Sequence, residues 1–219
     1  MIGLLKNNFY GALGGAVILL AFFSLAGLGL LISGNPSLLT IFVLISATAF
    51  AFNAVSGFRK EASTKWNKYE LITPVMRKDI IKSRYISHII WVVSGLVLAV
   101  VFVGLTVLIH GNRFFYYELR DPLSLFCVSI GISLFMGALF YPLIYFLGAD
   151  KNEIVMIISL IGAVGLTIGT LWLTNAAYGF EPVSDPEFYL SISVFMATAV
   201  LSFLLSYFLS RSIYRRKEY

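Results

Sequence analysis

Residues 58–109 read FRKEASTKWNKYELITPVMRKDIIKSRYIS followed by HIIWVVSGLVLAVVFVGLTVLI, a segment dense in charge and then a run without a single Asp, Glu, Lys or Arg. The second part decides the fold. A helix over His88–Ile109 rises about 1.5 Å per residue, enough to cross the roughly 30 Å of hydrocarbon in a bilayer. Only a helix or a closed barrel keeps every backbone N–H and C=O bonded at that depth. The same kind of uncharged run recurs near Leu13–Ser33, Ser37–Gly57, Pro122–Leu147, Glu153–Thr174 and Phe188–Leu209, with ionisable residues only at the ends. The whole chain of 219 residues is 59% hydrophobic and 12% charged, with a mean hydropathy of +0.89. A soluble domain carries about 25% charged residues. The expected fold is therefore all-α: a polytopic membrane protein with six transmembrane helices in one domain over 1–219.

Orientation follows from where Lys and Arg fall, because short cytoplasmic loops hold the excess. One side has Lys6, then Arg59, Lys60, Lys65, Lys68, Arg77, Lys78, Lys82 and Arg84, then Lys151, then Arg211, Arg215, Arg216 and Lys217. The other side has only Arg113 and Arg120, beside the acids Glu181, Asp185 and Glu187. This asymmetry predicts both termini in the cytoplasm and three hairpins pointing out. Lys6 and the run after it read as a retained first helix, since no small-residue cleavage site precedes Pro36. The single cysteine, Cys127, falls inside the fourth span, which leaves no intramolecular disulfide and no Cys-based metal cluster. The net charge of +5 flanks membrane spans, so anionic lipid accounts for it better than nucleic acid.

The spans pair as hairpins, with short turns at Ser33-Gly34-Asn35-Pro36 and Gly148–Asn152. Gly11 and Gly15 are spaced as GxxxG, as are Gly165 and Gly169, with Gly162 one turn earlier on the same face. Such faces let helix backbones approach closely, within the chain, at a dimer seam or along a substrate path. Pro142 removes a backbone donor inside the fourth span and should bend it. Phe114-Phe115-Tyr116-Tyr117 reads as an aromatic interfacial belt, and Asp185-Pro186-Glu187 as the start of a short outer surface helix.

Chemistry is scarce. His88 and His110 sit at opposite ends of one span and cannot share a metal. No HExxH, GxSxG or intramembrane carboxylate pair occurs. Ser and Thr in the spans have no base beside them and read as interhelical hydrogen bonders. Intramembrane acids that would mark a proton or sodium path are missing. No GxxxxGK[ST] occurs, so any nucleotide that drives this chain is bound by another subunit. No catalytic residue and no metal ligand is therefore expected.

The basic segment between the second and third spans, 58–87, is the most informative remaining part. In Ser63–Ile72 the residues Trp66, Tyr69 and Ile72 recur at three-residue spacing while Lys65, Lys68 and Glu70 face elsewhere, the pattern of a short amphipathic helix at the surface. Thr73-Pro74 then fits an N-cap with proline at the first helical position, opening a second helix through Arg77, Lys78 and Asp79. Two uses fit such a bracket: an interfacial anchor on lipid phosphate, or a docking element for a cytoplasmic motor.

The stretch from Trp66 to Tyr85 resembles the loop after the second span in ABC-2 type permeases, with Pro74, Arg77, Asp79, Arg84 and Tyr85 matching and Thr73 and Met76 departing from the usual residues. The layout of six spans, internal termini and one long second loop is similar too. Within that family, small permeases that export or confer immunity to amphipathic peptides are the nearest resemblance. What the resemblance implies is a multi-pass subunit of a bacterial plasma membrane that pairs with a second permease copy or paralogue and with two ABC ATPase subunits. ATP and Mg would be bound there, and no cofactor in this chain. The helix at Ser63–Ile72 would be a coupling helix, with Lys65, Trp66, Tyr69, Glu70, Arg77 and Lys78 at the ATPase contact. Spans two and five would line the translocation path, with Asn53, Gly162, Gly165 and Gly169 as candidates. A different class also fits the composition: a non-transporting membrane interaction or immunity protein.

Overall fold

A computed structural model describes residues 2–64, 76–111, 114–115, 119–177 and 184–216. Within them the chain forms six long helices: α1 (Ile2–Ser33), α2 (Pro36–Thr64), α3 (Arg77–His110), α4 (Arg120–Leu147), α5 (Asn152–Ala177) and α6 (Asp185–Arg216). Each is long and apolar enough to cross a membrane, and no strand occurs among the described residues. The all-α, six-span expectation holds.

The turns form where the sequence provides for them. Gly34 takes φ +53°, a left-handed value that a side chain resists, and its N–H bonds back to the Leu30 carbonyl at 2.9 Å. The next residue, Asn35, caps α2: its side-chain oxygen accepts from the Ser37 N–H at 2.9 Å, with Pro36 at the first helical position. Gly148 closes α4 in the same way at φ +96°, and a single 3₁₀ turn, Ala149–Lys151, leads into α5.

The helices overrun the spans read from charge. α1 starts at Ile2 instead of Leu13, α2 continues to Thr64 past Gly57, and α3 begins at Arg77 ahead of His88. Charge ends a membrane span but does not end a helix, because backbone bonding is satisfied equally well outside the bilayer. Much of the 58–87 segment is therefore helical continuation, and the residues that join α2 to α3, 65–75, lie outside the described residues. The capping expectation at Thr73-Pro74 is corrected at the helix itself. The N-cap of α3 is Met76, extended at φ −70°, ψ 136° and without a side-chain cap bond. The outer surface helix is corrected as well. Asp185-Pro186-Glu187 is the first turn of α6 and runs straight into the sixth span, with Glu187 accepting from the Ser184 N–H at 2.9 Å and hydroxyl at 2.7 Å.

α2 and α4 are the most enclosed spans. α2 packs on α1, α3, α4 and α5, and α4 packs on α2, α5 and α6. One apolar cluster joins α1, α2 and α3 through Phe23, Phe42, Phe50, Trp91 and Val103. A second joins α4, α5 and α6 to the ends of α2 and α3 that flank residues 65–75, through Phe58, Ile81, Tyr85, Tyr141 and Phe203. At the opposite end, Arg120 Nη1 meets Asp185 Oδ1 at 2.7 Å and its guanidinium covers the Phe188 ring at 4.3 Å, fastening α4 to α6.

Candidate translocation groove and the base of α3

Among the described residues the spans leave a large apolar recess on the face that α2 presents between α1 and α5. It measures about 630 Å³ and is lined by Gly15 and Ile18 from α1, Leu44, Thr48, Ala49 and Asn53 among others from α2, Leu160 and Val164 from α5, and Ile132 of α4. No ionisable residue lines it. Its hydroxyls are turned to their own helix: Thr48 donates to the Leu44 carbonyl at 2.8 Å and Ser56 to the Asn53 carbonyl at 2.8 Å. That satisfies them and leaves a surface suited to apolar or amphipathic matter. The size is in the range of small-molecule sites, roughly 300–1,000 Å³.

Asn53, a predicted path residue, is at this recess but is nearly buried. Its amide donates to the Ala12 carbonyl at 3.0 Å, and a Cβ on Gly15 would fall against its side-chain oxygen. It ties α2 to α1 at the groove wall. The three candidate glycines of α5 separate. Gly162 packs against Leu139 of α4, since a Cβ there would sit 2.6 Å from Leu139 Cδ1, whereas Gly165 and Gly169 meet nothing within 4 Å. None of the three lines the recess; Leu160 and Val164 represent α5 there.

Of the predicted ATPase contacts, Lys65, Trp66, Tyr69 and Glu70 lie outside the described residues. Arg77 and Lys78 are the first two residues of α3 and are exposed. Arg77 donates from Nη1 to the Arg215 carbonyl at 3.4 Å, so the start of α3 leans on the end of α6.

Immediately beyond, α3 is held by polar contacts to three other helices. Ser83 accepts from the Asn8 amide of α1 at 3.1 Å. The Arg84 carbonyl accepts from the Tyr141 hydroxyl of α4 at 3.2 Å. Tyr85 exchanges hydrogen bonds with Ser206 at 2.7 Å and Ser210 at 2.9 Å on α6. The Arg84 guanidinium is buried over the Phe58 ring of α2 at 4.1 Å. One turn on, His88 is fully buried, and its Nε2–H donates to the Ser133 carbonyl of α4 at 3.0 Å. That carbonyl can only accept, which fixes the proton on Nε2. At the far end of α3, His110 Nε2–H donates to the Leu31 carbonyl at 2.7 Å.

The sequence reading placed Arg84 in a loop and His88 at a surface; the structure puts both inside the bundle. The available signal was a stripe at helical spacing, Ile80, Ile81, Arg84, Tyr85 and His88, opposite the hydroxyls Ser206 and Ser210, which are themselves one turn apart. Among the described residues no three His, Cys, Asp or Glu side chains gather as a metal site.

Fold and site together define a multi-pass helical membrane protein with a charge-free groove between its spans. A family model described as "ABC-2 family transporter protein" matches residues 3–215. The chain belongs to that family, and with it is a permease component of an ABC transporter. Permeases of this family work with ABC ATPase subunits and are generally not catalytic themselves. No curated protein and no solved structure matches the chain.

Proposed function

We propose that this permease moves an amphipathic or hydrophobic substrate outward, of which an amphipathic peptide is one candidate, using ATP and Mg bound by two separate ATPase subunits. The observation that carries this reading is the charge-free groove between α1, α2 and α5 in a chain of the ABC-2 family. An apolar path gains from burying apolar surface and has nothing to offer an ion. A second permease, a copy or a paralogue, would close the open side of the groove and share the path. Its residues facing the substrate are Asn53 and the α2 and α5 side chains beside it. The α5 face carrying Gly165 and Gly169 is free for a neighbouring helix.

In this reading the motor docks on the coupling segment Ser63–Ile72 through Lys65, Trp66, Tyr69 and Glu70, with Arg77 and Lys78 at the membrane elbow. A push there is passed to α2 and α3, the helices on either side of it. The Ser83–His88 contacts tie α3 to α1, α4 and α6, which supports a rocking of packed helices as one body.

The test is purification of the tagged chain from its host in mild detergent, with and without a Tyr69→Ala, Glu70→Ala double substitution. ATPase activity that co-purifies with the wild type and is lost or uncoupled in the double variant is the expected result. A wild-type chain recovered alone, with no nucleotide-dependent activity, overturns the motor and leaves an interaction or immunity protein.

A further inference from the structure

The last two turns of α6 gather Arg211, Arg215 and Arg216 around a recess of about 430 Å³ that Ser212 and Phe208 complete. All five residues are exposed, and among the described residues none of the three arginines has an acidic partner. The helix C-terminus favours basic residues at Arg215 and Arg216 through the macrodipole. That accounts for neither Arg211, more than a turn inside, nor the recess that brings it together with them.

The chemistry changes abruptly along this face. Leu201, Leu204, Leu205 and Phe208 are exposed and apolar, and the arginines follow at once. Such a change is the one expected of a helix passing from hydrocarbon to headgroups. A guanidinium fork matches two oxygens of one phosphate and is weakly hydrated, so it binds phosphate better than a lone ammonium does. Ser212 adds a hydroxyl donor within the same recess.

We propose that this recess is a binding site for the phosphate of an anionic phospholipid in the leaflet that the C-terminus faces. Arg211, Arg215 and Arg216 hold the phosphate oxygens, Ser212 donates a further hydrogen bond, and the acyl chains lie along Phe208 and the exposed leucines of α6. The site abuts the base of α3 through the Arg77 bond to the Arg215 carbonyl, so a bound lipid braces the end of α6 against the start of α3. The proposal does not depend on the motor.

The experiment is native mass spectrometry of the full chain taken from nanodiscs of equal phosphatidylglycerol and phosphatidylcholine. The wild type is expected to retain phosphatidylglycerol in preference. Arg211→Gln with Arg215→Gln should lower that preference by about fivefold for each arginine, the worth of one basic side chain at an anionic surface. Ser212→Glu, which keeps the arginines and adds a carboxylate to the recess, should lower it too and serves if the double variant does not fold. A Lys6→Gln, Lys151→Gln control removes as much charge elsewhere and should leave it unchanged. Equal loss in the control means diffuse attraction only and overturns the site. Displacement of the lipid by millimolar inorganic phosphate makes it a free-anion site. Retained lipid with loss of a co-purifying ATPase makes the recess a protein contact. Either result overturns the proposal.

Discussion

A Cβ built on Gly95 would lie 2.8 Å from the Ala47 Cα and 2.9 Å from the Ser46 carbonyl oxygen. Both obstacles are backbone of α2, which cannot rotate aside as the end of a side chain can. Gly165 meets nothing within 4 Å. Gly95→Ala is therefore expected to push α3 off α2 and cost about 1–3 kcal/mol. Gly165→Ala should be neutral or slightly stabilising in the isolated chain, by at most about 1 kcal/mol of helix propensity. Unfolding followed with a thiol-reactive dye on Cys127, the lone and half-buried cysteine, would separate the two. Equal midpoints would show that α2 and α3 are not in backbone contact. The GxxxG pattern pointed at Gly11, Gly15, Gly165 and Gly169, yet only Gly15 of these is closely packed. Spacing cannot tell a glycine that faces a neighbour from one that faces outward. Gly95 has Ala99 and not a second glycine four residues away, a small-xxx-small pair whose contact is visible only once α2 lies beside it. Asn53 entered as a path candidate through the family resemblance, and its bond to the Ala12 carbonyl depends on where α1 packs.

At the level of helices, punctuation was more legible than extent. Gly34-Asn35-Pro36 states a stop, a cap and a start in three residues, and the structure uses each in that role. Asn35→Ala removes the acceptor of the Ser37 N–H and is expected to cost about 1 kcal/mol. Asn35→Asp keeps the acceptor and adds a negative charge at a helix N-terminus, so it should hold or raise stability. Thermal midpoints of the purified variants check the order, and identical losses for both would mean that the cap bond is not made. Helix ends beyond the bilayer were harder to read, because Arg, Lys and Glu mark the limit of the hydrocarbon and say nothing of helix termination. α3 starts at Arg77 because Ile80, Ile81 and Tyr85 still have a core to enter. That stripe sits within a charged segment, where the strength of the charge signal hides it.

For the molecule as a whole, the number of spans and the helical class could be read from hydropathy, since each span must satisfy its own backbone in lipid. The groove could not. Its walls come from α1, α2, α4 and α5, far apart in the chain, and only their packing brings Gly15, Ala49, Asn53 and Val164 around one space. If that space is the path, filling it should slow transport without unseating the motor. Ala49→Trp places an indole in the recess from the middle of α2, well away in sequence from the Ser83–His88 contacts and from residues 65–75. Co-purifying ATPase activity should persist. Transport of a fluorescent amphipathic helical peptide into inside-out proteoliposomes should fall by about tenfold, as expected for roughly 1.4 kcal/mol of lost contact. Should transport continue at the wild-type rate while the chain remains folded, substrate does not pass between α1, α2 and α5, and the recess is filled by lipid or by the neighbouring permease instead. Loss of ATPase and transport together would mean that the groove wall and the motor seat move as one unit, with α2 the element that joins them.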